Sequence, residues 1–303
     1  MEQSIQHFLN YLTVEKGFSA NTVLAYRNDL QQFSQFVQGN IPSSQEVVPQ
    51  VVGQPLITSY LGDLKERRYA SSTVARKMAA VKSYFAFLVN EGSLSENPAQ
   101  SLSSPRVGKY LPRTLTTDEV DCLLEQPTKR SSPESKRDRA MLELLYATGM
   151  RVTELVSLNC PHINLEMGFV HCTGKGSKER VIPIHSQAVE ALKDYLETGR
   201  PQLQHSPGQE ALFLNRRGER LTRQGFWLIL KAYSREANIQ LSVTPHVLRH
   251  SFATHMLTGD RPIDLQSLRE LLGHANIATT QIYTHLTTDH LRREYEKAHP
   301  RAK

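Results

Sequence analysis

Residues 244–286 read TPHVLRHSFATHMLTGDRPIDLQSLRELLGHANIATTQIYTHL, which sets His246, Arg249, His274 and Tyr283 in one short stretch. Imidazoles move protons near neutral pH, a guanidinium clamps two phosphate oxygens in a planar fork, and a phenol is a potential covalent nucleophile. Together these are the residue types that hold a phosphodiester and attack it. Pro245 suits the first turn of a helix over 246–258, which puts His246 and Arg249 three apart on one face and turns His250 elsewhere. A helix over 264–272 leads into GHAN, and a short helix over 277–285 carries Tyr283.

Upstream, two further segments bear on the same chemistry. RDRAMLELLYATG, 137–149, reads as an amphipathic helix closed by Gly149, and MRVTELVSLN follows, placing Arg151 just before a new helix. A guanidinium beside free N–H groups at a helix start makes a phosphate site, and Glu154 is placed to brace Arg151, although such a pair also suits a plain surface ion pair. GFVHCTGKGSKERVIPI, 168–184, is a strand–turn–strand signal whose glycines allow a tight turn, so Lys175 projects from a hairpin tip. It is not a Walker loop, because GxxxxGK[ST] is absent.

The N-terminal third is helical. Segments 3–14, 19–38, 55–67 and 71–91 read as helices, with Ser19 and Asn21 as candidate N-caps and a Pro/Ser/Gly loop over 42–55. Val23, Tyr26, Leu30, Phe33 and Val37 form one apolar stripe; Val74, Met78, Val81, Phe85 and Leu88 form another. The opposite face of 71–91 offers Thr73, Arg76, Lys77 and Lys82, either as a solvated polar face or as a face laid against DNA. Residues 93–114, with three prolines and five serines, read as a linker. Its second half carries Arg106, Lys109 and Arg113 with no acid, and so is suited to lie along phosphates. Thr116 with TTDEVDCLLEQ opens a second domain as a capped helix. Further helices are expected over 186–199 and 222–237.

Of 303 residues, 36 are Lys or Arg and 30 are Asp or Glu, a net charge of +6. Such a balance suits a polyanionic partner without requiring one. No run of eighteen apolar residues suggests a membrane span, and the N-terminus lacks the pattern of a signal peptide, which points to the cytoplasm. Cys122, Cys160 and Cys172 form no CxxC pair, which suits reduced, incidental thiols. The last segment, TTDHLRREYEKAHPRAK, has only Leu291 and Tyr295 as apolar anchors. That stripe is too thin to hold a helix firmly on its own domain, so it reads as a frayed tail or as a helix that docks on a neighbouring protomer.

The ordered set Arg151, Lys175, His246, Arg249, His274 and Tyr283 resembles the catalytic set of the tyrosine recombinases. GMRVTELVSL, TGKGSKERVIPI, HVLRHSFATHML and LLGHANIATTQIYTHL resemble four motifs of their Xer branch, in order and spacing. The resemblance spans the chain and implies a mainly α fold with a small β-sheet: a helical, SAM-like core-binding domain at 1–92, a linker at 93–114, and an α+β catalytic domain at 115–303 ending in an exchanged helix at about 289–303. It implies a two-domain clamp around duplex DNA, strand cutting and rejoining through a 3′-phosphotyrosyl bond at Tyr283, and no metal or ATP. A dif-like site, a tetramer with like or paralogous recombinases and a division-linked DNA translocase are the implied partners. Between HSFATH and LLGH the chain is about two residues longer than the usual Xer spacing, around Asp260–Pro262.

Competing readings are a type IB topoisomerase-like nicking–closing enzyme, a mobile-element integrase and a non-catalytic architectural DNA-binding protein. A metal-dependent hydrolase using His246, His250 and His255 is a fourth, but it lacks HExxH and a carboxylate ligand.

Overall fold

In the computed structural model, described for residues 1–42, 44–102, 113–173, 179–273 and 286–302, the chain divides into two units, Met1–Tyr110 and Leu111–Lys303. It is mainly helical with one three-stranded sheet. Among the described residues no helix is long and apolar enough to cross a membrane.

The first unit contains α1 (Glu2–Val14), α2 (Ala20–Asn40), α3 (Gln54–Glu66) and α4 (Ser71–Asn90). Ser19, and not Asn21, caps α2: its Oγ accepts the Thr22 N–H at 3.3 Å. The two apolar stripes face each other as periodicity predicts, with Leu30, Phe33 and Val37 of α2 and Val74, Met78, Val81, Phe85 and Leu88 of α4 all buried. Phe33 lies edge-on to Tyr60 and to Phe85, with centroids 5.1 and 6.1 Å apart. The loop before α3 contains a short 3₁₀ turn, Pro49–Val51, that buries Pro49.

One residue of the α4 polar face is not on the surface. Lys77 is buried, with Nζ 2.9 Å from Oδ1 of the buried Asp29 and 2.5 Å from Gln32 Oε1. The expectation that Lys77 faces DNA is therefore corrected. A carboxylate placed inside a helical bundle needs a cation, and α4 supplies it. Arg76 pairs with the same carboxylate but keeps nearly half its side chain exposed.

In the second unit, α5 (Thr117–Glu125) opens on a complete capping box: Thr116 Oγ1 accepts the Glu119 N–H at 3.2 Å, and Glu119 Oε2 accepts the Thr116 N–H at 2.8 Å. Next comes α6 (Pro133–Thr148), the central helix. It starts four residues earlier than its periodicity suggests, because Ser132 caps it and Pro133 occupies its first turn. From Ala140 to Thr148 every residue is buried, so α6 is wrapped by neighbours on all sides.

Gly149 ends α6 at φ +56°, a conformation that favours glycine. A Cβ there would also overlap the Phe252 ring.

Then follow α7 (Val152–Ser157) and the antiparallel strands β1 (Ile163–Asn164), β2 (Phe169–Thr173) and β3 (Glu179–Pro183). The register pairs Val170 with Ile182 and Cys172 with Arg180. The helix expected over 186–199 is α8 (Ser186–Asp194), continued by a π turn, Tyr195–Gly199, into α9 (Arg200–Leu203). Pro201, which has no N–H to donate to a helical carbonyl, explains the widened turn. The fold closes with α10 (Arg223–Glu236), α11 (Pro245–Thr258), α12 (Leu265–Leu272) and α13 (Leu286–Ala298).

The tail is not thinly held. Tyr295, Ala298 and His299 are all buried in their own domain. The His299 ring lies 4.8 Å from His185, 5.0 Å from Tyr295 and 5.2 Å from Tyr146, and Arg301 pairs with Asp121 and, at 2.9 Å, with Glu143. The count of apolar anchors found Tyr295 but missed the added hold of His299 and Arg301, which are polar. Burial, reinforced by neighbouring His185, holds His299 well below the ordinary histidine range, so its imidazole packs as a neutral ring. Burial pushes Glu143 up to about 7 even though Arg301 opposes the shift.

Two stability tests follow from this packing. Arg301→Met strands the Glu143 carboxylate and is expected to cost about 3 kcal/mol, or roughly 6–12 °C in Tm for a domain of this size. The Arg301→Met/Glu143→Met double variant recovers most of that loss, as differential scanning calorimetry would show. Gly149→Ala is expected to destabilise by more than about 2 kcal/mol through left-handed strain and the Phe252 overlap. Adding Phe252→Ala costs less than the two single losses together, because the clash is then gone.

Candidate active site

Two arginines from separate elements grip one carboxylate, and a third, Arg249, stands close enough to feel their charge. Arg151 occupies the N-cap position of α7, directly after the left-handed turn at Gly149, and Glu154 lies one turn into the same helix. The Arg151 N–H donates to Glu154 Oε2 at 2.7 Å, and Arg151 Nη1 donates to Glu154 Oε1 at 3.2 Å. Glu154 thus does the work of an N-cap side chain and braces the guanidinium at the same time. Arg151 still exposes 40% of its side chain, so its remaining N–H donors reach the surface.

Arg180 of β3 approaches Glu154 from the other side as a two-pronged fork, Nη1 to Oε1 at 3.1 Å and Nη2 to Oε2 at 2.9 Å. Burial alone would raise the Glu154 pKa. The Arg180 hydrogen bonds and the Arg151 N–H outweigh burial and hold the carboxyl below its usual range. Glu154 is therefore ionised across neutral pH.

Arg249 and His246 both stand on α11, three residues apart, as their spacing predicts. Thr244 Oγ1 accepts the Val247 N–H at 3.2 Å, and Pro245 occupies the first turn. His246 is exposed, whereas Arg249 is half-buried and donates through Nη1 to Gly149 O at 2.6 Å and through Nη2 to Leu272 O at 2.9 Å. These two carbonyls lie at the C-terminal ends of α6 and α12, where helices leave acceptors unpaired. Burial first, then the positive charge of Arg151, lowers Arg249 to about 10. A guanidinium stays protonated at that value in neutral solution. The shift records mainly a cation taken out of water, with the neighbouring charge of Arg151 adding to it.

The three guanidinium groups and one carboxylate leave this cluster at +2, because 3 − 1 = 2. Bidentate guanidinium donors beside a helix start fit a phosphodiester, which is planar-forked in its non-bridging oxygens and singly charged.

Of the six expected catalytic positions, Arg151, His246 and Arg249 are described; Lys175, His274 and Tyr283, with the helix expected over 277–285, lie outside the described residues. Arg106 and Lys109 also lie outside them. On α4, Thr73 is half-buried, Arg76 exposed, and Lys82 half-buried with Nζ donating to the Leu102 carbonyl. His255, weighed above as a metal ligand, bridges the Tyr146 hydroxyl and the Leu115 carbonyl, each at 2.8 Å.

Sequence reasoning missed Arg180. Its only local signal is alternation along β3, where Arg180 shares a face with the buried Ile182 and so is directed inward.

Residues 113–290 match the model of the phage integrase family, and residues 5–92 match that of the phage integrase N-terminal SAM-like domain. The tyrosine recombinase XerC of Herpetosiphon aurantiacus is 50% identical over 290 residues, covering 95% of this chain and 92% of that protein. The tyrosine recombinase XerD of Halalkalibacterium halodurans is 44% identical over 304 residues, covering 100% of this chain and 99% of that protein. Among solved structures, the XerH site-specific recombinase bound to a palindromic difH substrate aligns with a TM-score of 0.68 at 23% identity, covering 97% of this chain and 94% of that one. A lambda integrase dimer bound to a COC′ core site aligns with a TM-score of 0.67 at 16% identity, covering 93% of this chain and 99% of that one. These two likenesses are of fold. Both family models and full-length identity to the curated recombinases agree: the chain belongs to the phage integrase family and is a Xer-type tyrosine recombinase, an enzyme of site-specific DNA recombination.

Proposed function

We propose that this recombinase resolves chromosome or plasmid dimers in the cytoplasm at a dif-like site, through a 3′-phosphotyrosyl bond made by Tyr283. The observation that carries the active-site reading is the excess of positive charge where Arg151 and Arg180 share the single carboxylate of Glu154 and Arg249 stands nearby without an acid partner among the described residues. In this reading the two guanidinium groups hold the non-bridging oxygens of the scissile phosphate and stabilise the charge that builds in the pentavalent transition state. The Tyr283 oxygen attacks phosphorus as His246 accepts its proton. The 5′-oxygen leaves and takes a proton from Lys175, and His274 donates a hydrogen bond to the phosphate. The phosphotyrosine conserves the energy of the broken bond. Rejoining is the reverse, with a partner strand's 5′-hydroxyl as nucleophile, and needs no external energy source.

Domains 1–92 and 115–303, joined by 93–114, would close around the duplex, with Thr73, Arg76, Lys82, Arg106 and Lys109 toward its backbone. Four protomers, of this chain alone or with a paralogue, would assemble on two sites and exchange tails from about 289 onward. The socket of Glu143, Tyr146 and His185 that now holds the chain's own His299 and Arg301 would then receive a neighbour's. A division-linked DNA translocase would set the timing.

The test is trapping on a nicked suicide duplex carrying a dif-like sequence. A detergent-stable covalent adduct is expected with the unaltered chain, and Tyr283→Phe is expected to abolish it while keeping duplex affinity within about threefold. An adduct that persists in Tyr283→Phe would remove the nucleophile assignment. No adduct on dif-like DNA, but one on a mobile-element junction, would turn the reading to an integrase.

A further inference from the structure

Arg180 bonds to two elements beside the proposed phosphate clamp, α7 through Glu154 and the end of α12 through Leu271. Each nitrogen of its guanidinium is engaged: Nη1 and Nη2 on the two oxygens of Glu154, and Nε on the Leu271 carbonyl at 3.0 Å. Only 12% of its side chain is exposed, so it has little room to serve a ligand directly.

Its partners lie far from it in sequence and close to the clamp in space. Glu154 carries the Arg180 contact on to Arg151, through the Arg151 N–H and guanidinium. Leu271 and Leu272 are consecutive carbonyls in the last turn of α12; Arg180 takes the first and Arg249 the second. Gly273 then turns at φ +66°, and a Cβ there would come within 2.8 Å of Arg180 Nη1 and 2.9 Å of Cζ. The glycine immediately before His274 in the chain thus has the guanidinium of Arg180 against it. Arg180 also sits on β3, five residues after Lys175 in the chain.

We infer that Arg180 is a positioning residue for strand cleavage: it sets Arg151 through Glu154 and sets the α12 end through Leu271, so that the clamp arginines from two helices keep one register. This role rests on the phosphate-clamp reading of Arg151 and Arg249. Lysine cannot replace Arg180, because a point charge on a flexible stem cannot grip two carboxylate oxygens and a carbonyl from fixed directions. Gly273 is part of the same device, since any side chain there pushes the fork off Leu271.

The experiment is single-turnover cleavage of the suicide duplex at saturating full-length protein, for the unaltered chain, Arg180→Lys, Arg180→Gln, Glu154→Gln and the Arg180→Lys/Glu154→Gln double variant. The cleavage rate is expected to fall about 10- to 100-fold in Arg180→Lys, the range typical when a group that orients a functional residue is lost. Duplex Kd is expected to stay within about threefold. The double variant is expected to lose no more than the worse single variant, because both changes break one chain of contacts.

Arg180→Lys cleaving within twofold of the unaltered chain would overturn the role. So would losses that multiply in the double variant, or a rate loss that matches the unfolded fraction measured by circular dichroism at the assay temperature. If the unaltered chain forms no Tyr283-dependent adduct, the function has failed. If it does and the Arg180 variants match it, only the positioning role has failed.

Discussion

The carboxylate of Glu154 is where the geometry of the catalytic unit is decided. Two buried oxygens accept from the N–H and guanidinium of Arg151 and from both prongs of Arg180. A buried carboxylate without such donors would lose several kcal/mol of hydration. With them it is held ionised and cannot drift, because each oxygen is fixed from two directions. Arg151 is thereby aimed while its outer donors stay free. One acid among three bases also leaves the region short of negative charge, and the pKa of Arg249 is lowered first by burial and then by the charge of Arg151. The fold keeps these cations together at a cost in stability, which is how a preorganised site for an anion is built.

What surrounds that carboxylate is a set of helix ends. Arg151 starts α7, Gly149 ends α6, and Leu271 and Leu272 end α12. Helix ends carry unpaired carbonyls and N–H groups, so they demand partners, and here arginines supply them. The same bonds that finish α6 and α12 therefore orient Arg249. Finishing the helix ends and orienting Arg249 are one set of contacts, so weakening either weakens both. Phe252 enforces the arrangement mechanically, since its ring leaves no room for a side chain at Gly149, whose carbonyl Arg249 holds.

Much of this was legible in the sequence where the determinant is local. Apolar spacing found α2 and α4, residue chemistry found the Ser19 cap and the Thr116 capping box, and the Gly149–Arg151 step announced a helix end followed by a helix start. Glu154 was readable as a brace because it lies one turn from Arg151. Arg180 was not, because its partners lie 26 and 91 residues away, and no period relates a strand residue to a helix carboxylate. Lys77 misled for the opposite reason. Its place on the polar face of α4 was right, but a buried acid on another helix claims it.

The tail shows the same limit and adds a physical point. Counting Leu291 and Tyr295 treats anchoring as apolar area alone, yet His299 docks as a neutral aromatic ring and Arg301 as a counter-charge to buried Glu143. Such anchors differ from leucines in kind. An apolar stripe sticks to many surfaces, whereas a largely covered cation and a buried neutral imidazole are stable only in a socket that supplies an acid and aromatic walls. A segment held this way can leave its own domain only for a site of the same chemistry, and within an assembly of like protomers that site is the neighbour's copy. Polar anchoring thus makes the tail selective about any site that could receive it.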